Sequence, residues 1–193
     1  MSSQETPALK QHYKDVVAPG LKKSLGYKND MEIPSIEKVV LNMGINASAD
    51  KSVLEEAVKN MSAIAGQAAV RTYARKSIAN FKLREDMPIG CKVTLRGNRM
   101  WDFLYRLLAV GLPSIRDFRG VHSRFDGNGN YSLGITDITI FPEVPSDTLK
   151  YQAGLEFTIV TSAATNDEGK ELLTLLGMPF RKQEKKEEET TAA

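Results

Sequence analysis

The residues able to do chemistry are few, and their spacing argues against catalysis. The two histidines, His12 and His122, lie far apart, one near the start of the chain and one in a turn region. A general base needs a partner within hydrogen-bond reach, and the sequence nominates none for either. Cys91 is the single cysteine. It falls on the apolar side of a predicted strand and reads as a small buried hydrophobe rather than a nucleophile. One cysteine permits neither an internal disulfide nor a thiolate zinc cluster, and it suits a reducing compartment. Asp126, Asn128 and Asn130 are spaced like the start of a calcium loop. The next position requires glycine but holds Tyr131, and no glutamate follows at the needed distance. The FDGNGN run at 125–130 is therefore read as a turn. No lysine-bearing phosphate loop and no dinucleotide fingerprint is present. We expect no enzyme, no metal and no cofactor.

What stands out instead is where the charge lies. The 193-residue chain carries a net charge of only +2. Between Arg71 and Arg124, however, twelve Lys and Arg face four acids, a local net of +8 that leaves −6 for the rest. A basic middle between acidic ends suits a polyanion, with solubility maintained elsewhere. Composition is otherwise that of an ordinary globular protein, 41% apolar and 26% charged. The N-terminus, MSSQETPALKQHYKD, has no apolar signal-like core. No apolar run approaches the roughly 20 residues that span a bilayer. We expect a soluble, cytoplasmic protein without a membrane partner.

The elements that must position these charges follow from periodicity. Leu9–Leu25 is expected to be a helix kinked or broken at Pro19-Gly20. Ile36–Met43 reads as a strand with Val39 and Leu41 on one face and Lys38 and Asn42 on the other. Asp50 is a candidate cap for a helix to Ala65, striped by Val53, Leu54, Ala57, Val58, Met61 and Ile64. Val70–Tyr73 and Ile89–Arg96 are expected strands around a long exposed loop, Ala74–Pro88. Loops of that length are usually functional or disordered. In the returning strand Cys91, Val93 and Leu95 alternate with Lys92, Thr94 and Arg96. Asn98 is the expected cap of a helix from Arg99 to about Gly111, with Pro113 ending it. Tyr131–Phe141 and Leu155–Thr161 are expected strands, and Glu168–Leu176 a helix. This order predicts an α+β fold: a largely antiparallel sheet, helices on one face, and a long basic loop between two strands. Residues 1–180 are expected to form one RNA-binding domain. Residues 181–193, charged and poor in apolar side chains, form an expected disordered tail. The other sheet face, with Lys38, Asn42, Lys92, Thr94 and Arg96, is a platform rather than a core.

The run TYARKSIANFKLREDMPIGCKVTLRGNRMWDFLYRL (72–107) closely resembles the bacterial large-subunit ribosomal proteins that bind 5S ribosomal RNA. Further blocks agree in order: IEKVVLNMG (36–44), AGQ (65–67), LPSIRDFRG (112–120), FDGNGNY (125–131), IFPE (140–143) and PFRK (179–182). The resemblance spans Leu9 to Lys182. It implies a structural protein that seats 5S RNA in the central protuberance and touches 23S-type RNA and neighbouring 5S-associated proteins. Its basic loop would reach the peptidyl-site transfer RNA, and another edge would bridge to a small-subunit head protein of the S13 family. Carried onto this chain, the 5S site is Asn42, Met43, Gly44, Gln67, Thr94 and Arg96. The transfer-RNA loop is Arg75, Lys76, Ser77 and Lys82. Arg116, Asp117 and Arg119 match a block assigned to the bridge.

The chain departs from that pattern at Ala68 and Ala69, where lysine and proline are usual. It departs again at Asn128 and Ala153, each in place of an arginine. These changes thin the basic surface outside the central loop. A free-standing RNA-binding regulator of the same fold is the rival reading, separable by whether the protein co-sediments stoichiometrically with large subunits.

Overall fold

The computed structural model describes residues 6–46, 51–144 and 154–181. Asp50, Ala153 and the tail from Lys182 lie outside them. Along the chain run helix α1 (residues 8–25), strand β1 (Ile36–Gly44), helix α2 (Lys51–Ala65), strands β2 (Val70–Tyr73) and β3 (Pro88–Leu95), helix α3 (residues 97–111), strands β4 (Tyr131–Ile135) and β5 (Leu155–Thr161), and helix α4 (Asn166–Leu175). Among these residues the strands form a five-stranded sheet in the order β2-β3-β1-β5-β4. Every pairing is antiparallel. The α+β architecture is the one expected.

β1 is central because it can be. Its Val39, Leu41 and Met43 are fully buried, and the alternation makes one face wholly apolar. On the same face β3 contributes Cys91, Val93 and Leu95, and β5 contributes Leu155, Phe157 and Ile159. The helices cover this side. Phe103 of α3 sits between Phe141, at 6.1 Å between ring centroids, and Phe157, edge-on at 6.5 Å. Tyr13 of α1 meets Trp101 of α3 at 5.5 Å.

Two helices contain a widened turn ahead of a proline. α1 runs Ala8–His12, then a π turn Tyr13–Val17, then Ala18–Leu25. The expected break at Pro19 is absorbed one turn earlier, where wider winding relieves the clash of the proline ring with the preceding turn. α3 runs Gly97–Arg106 and continues as a π turn, Leu107–Gly111, just before Pro113. There the Leu112 amide reaches back five residues to the Leu107 carbonyl at 2.8 Å.

Three other expectations are corrected. Asn98 does not cap α3: Arg96 occupies the cap position without a side-chain bond, and Asn98 accepts from the Lys10 ammonium at 3.0 Å. It ties α1 to α3 instead. The strand expected over Tyr131–Phe141 ends at Ile135, because Asp137 accepts from the Thr139 amide and starts a short 3-10 turn, Ile138–Ile140. The last helix begins at Asn166, earlier than expected, under a reciprocal capping box of Thr165 and Glu168.

Gly90 marks where β3 comes closest to β1. A Cβ there would lie 2.3 Å from the Met43 carbonyl oxygen, whereas one at its partner Gly44 would meet nothing within 4 Å. Gly90→Ala should therefore cost about 1–3 kcal/mol in denaturant unfolding, as overpacking does. Gly44→Ala should stay within about 0.5 kcal/mol of wild type. Equal losses would mean that the approach at Gly90 is not tight.

Candidate nucleic-acid interface

With helices on one side, the other face of the sheet is left uncovered by the described residues. The register sets out what lies on it. Lys92 of β3 stands opposite Asn42 of β1, which stands opposite Glu156 of β5. The adjacent row is Thr94, Val40, Thr158 and Ser132, the last two bonded through their hydroxyls at 2.9 Å. Asn42, Lys92, Thr94 and Arg96 are all exposed. Amide, hydroxyl and cation thus alternate over two adjacent strands. Such a surface can read 2′-hydroxyls and hold phosphates.

The other sequence-nominated platform residues divide. Gly44 is exposed at the end of β1. Met43 is fully buried among the core side chains and can offer a ligand only its backbone. Gln67, in the turn after α2, is half-buried and accepts from the Arg99 guanidinium at 3.4 Å. This ties Arg99, from the start of α3, to the turn after α2. Lys92 and Arg99 were not among the nominated site residues. The alternation of Lys92 with Thr94 was legible, but the approach of Arg99 to Gln67 crosses two elements and was not.

The loop between β2 and β3 is more ordered than its composition suggests. The Ala74 amide donates to the Met87 carbonyl at 2.9 Å, and the Asp86 amide to Ala74 at 3.0 Å. Higher up, Ile78 and Leu83 exchange both backbone bonds, at 2.9 and 3.1 Å, around the 3-10 turn Ala79–Phe81. The loop is a hairpin within a hairpin. Arg75, Lys76 and Lys82 are exposed on it and have no acidic partner among the described residues. Lys82 turns the chain with a left-handed φ of 51°. The Ser77 hydroxyl accepts from the Glu85 amide at 2.9 Å, so it braces the hairpin.

Arg116, Asp117 and Arg119 are exposed in the segment after α3, with Asp117 left-handed at φ 54°. Phe118 anchors this segment against the core. The turn at 125–130 is held by its own side chains and by Asn166 of α4, which accepts from the Gly127 and Gly129 amides at 3.0 and 3.2 Å. Asp126 accepts from the Asn128 and Asn130 amides at 2.8 and 3.0 Å and from the Asn130 carboxamide at 2.7 Å. The Asn130 side chain is the main reason its carboxyl lies below the ordinary range. Those oxygens serve the turn rather than a cation. Arg106, by contrast, leaves the basic surface: its guanidinium pairs with Glu143 and donates to the Ile64 carbonyl at 2.8 Å.

Residues 29–84 match the family described as Ribosomal protein L5, and residues 88–180 match the C-terminal part of that same ribosomal family. The large ribosomal subunit protein uL5 of Desulfotalea psychrophila is 56% identical over 177 residues, covering 91% of this chain and 99% of that protein. The chain belongs to the uL5 family of large-subunit ribosomal proteins. The uL5 of Nitratidesulfovibrio vulgaris is 55% identical, over 90% of this chain and 98% of its own length. That of Kocuria rhizophila is 51% identical, over 91% and 94%. These uL5 relatives are ribosomal proteins rather than enzymes.

Cys91 fits the same picture. It is fully buried on β3, and burial pushes its thiol up to about 11. The native protein should not react with a thiol-exchange reagent such as DTNB at pH 8, and should react fully once unfolded in guanidinium. Rapid reaction of the native chain would place Cys91 outside the core.

Proposed function

We propose that this chain, as a structural constituent of the large subunit, holds 5S ribosomal RNA on the uncovered face of its sheet. In this reading it works on cytoplasmic ribosomes, beside 23S-type RNA and other 5S-associated proteins. The observation that carries the reading is that face itself: Asn42 of β1 and Thr94 of β3 lie exposed with Lys92 of β3 and with Arg96 just past its end. An uncovered sheet face normally faces water or a partner, and this one mixes hydrogen-bonding groups with cations.

The hairpin between β2 and β3 serves a second ligand, the peptidyl-site transfer RNA. Its Arg75, Lys76 and Lys82 offer charge without base-reading groups, which suits a contact that every transfer RNA must share. Ser77 belongs to the same site: its exposed hydroxyl accepts from the Glu85 amide and can still donate to a phosphate. Arg116, Asp117 and Arg119 belong to the inter-subunit bridge with the S13-type head protein, on a separate segment with its own anchor, Phe118.

Binding should be salt-sensitive, as phosphate contacts require. Purified protein should bind 5S RNA more tightly than an unrelated RNA of the same length at physiological salt; equal binding would end this reading. Asn42→Ala with Thr94→Ala should weaken 5S binding by about tenfold or more, at ~1 kcal/mol per lost hydrogen bond. Arg75→Ala with Lys76→Ala should spare 5S RNA and reduce retention of peptidyl-site transfer RNA on ribosomes. Loss of 5S binding in the second pair would put the hairpin on the wrong ligand.

A further inference from the structure

The hairpin holds one feature that phosphate contacts leave unexplained. Phe81 is 69% exposed at its tip, and Ile78 below it is 43% exposed. Phe81 and Ile78 together expose apolar surface on one tight turn, and grouped apolar exposure marks interaction sites. This loop is not loose. The Phe81 amide donates to the Ile78 carbonyl at 3.3 Å and the Lys82 amide to Ala79 at 2.9 Å, inside the reciprocal Ile78–Leu83 pair. The ring is held out by a closed turn.

Beside it an open cleft of about 530 Å³ lies between the hairpin tip and the end of β1. Ile45, Leu83 and Ile89 form its apolar wall, and Phe81 stands at its side. Asn46, Asn80 and Lys82 complete the lining. This combination is specific in chemistry. A flat π face accepts another flat π face. Carboxamides carry donors and acceptors suited to the edge of a base. Lys82, with Arg84 next along the chain, supplies charge for the attached phosphate. Within the hairpin, Arg75, Lys76, Lys82 and Arg84 outnumber Glu85 and Asp86. An apolar protein partner would leave those cations unmatched, whereas a polyanion with exposed bases would not.

We propose that this cleft is a nucleobase site, in which an unpaired RNA base stacks on Phe81 with its edge toward Asn80 and Asn46. The inference rests on the reading of the chain as an RNA-binding protein, but adds a base-contacting site to a hairpin otherwise assigned to phosphates. The cleft borders both the hairpin and the end of β1, so the base comes from transfer RNA or from 5S RNA.

The test uses the full chain. Phe81→Trp adds an exposed indole to a protein whose Trp101 is buried. Its added fluorescence is read while 5S RNA or deacylated transfer RNA is titrated in at physiological salt. One RNA should quench it at near wild-type affinity, identifying the source of the base. Phe81→Leu keeps apolar bulk but removes the π face, and should lose about tenfold in affinity for that same RNA. Phe81→Tyr should restore it. The proposal is overturned if neither RNA quenches the indole, or if Phe81→Leu binds both RNAs like wild type. Arg75→Ala with Lys76→Ala keeps the two readings apart. If that pair loses transfer RNA while Phe81→Leu does not, the hairpin binds phosphates alone. If neither variant changes binding, the hairpin itself is not an RNA site.

Discussion

Burial of one face of β1 is the constraint from which the rest of the molecule follows. Val39, Leu41 and Met43 must leave water, and a strand places them all on one side. The same geometry puts Lys38, Val40 and Asn42 on the other. Because β1 pairs on both sides, with β3 and β5, its alternation is imposed on its neighbours by register. A one-residue slip would turn every buried side chain outward. The dry face attracts α3 and its Phe103, and the wet face is left as a surface of amides, hydroxyls and cations. Core and interface are two sides of one pleat.

The same economy governs the hairpin. Its side chains are given to solvent, so its order must come from the backbone and from small polar groups. The Ala74–Met87 and Ile78–Leu83 pairings supply that order, with Ser77 holding the Glu85 amide. Its cations therefore project from a scaffold whose shape does not depend on them. A binding element that is already ordered loses less entropy when its ligand arrives. This also explains how a segment read as an exposed loop can hold Phe81 away from the core.

Position separates residues that look alike in sequence. Arg99 and Arg106 lie two turns apart on α3. Arg99 reaches Gln67 in the turn after α2, while Arg106 pairs with Glu143 and the Ile64 carbonyl and joins α2 to the segment after β4. Asp117 and Asp126 lie on neighbouring surface segments. Asp126 closes its own turn, and Asp117 carries a left-handed bend.

The sequence by itself determined which side of each strand would be buried, since period-two alternation in IEKVVLNMG, IGCKVTLR and LEFTIVT needs no knowledge of partners. It also determined the basic middle and, through ordered blocks of residues, the family. It did not determine where Tyr131–Phe141 stops being a strand. Leu133, Ile135, Ile138 and Ile140 carry apolar signal on both sides of Asp137, and only the capping bond to Thr139 ends the strand. Nor could it show Asn98 bonded to Lys10, because that depends on how α1 packs against α3. Tertiary structure alone decided that β1 and β3 lie side by side, which brings Asn42 opposite Lys92 and a step from Thr94. Alternation is a local property of the backbone. A shared surface is a property of pairing, which couples residues some fifty positions apart and is set by the core they jointly cover.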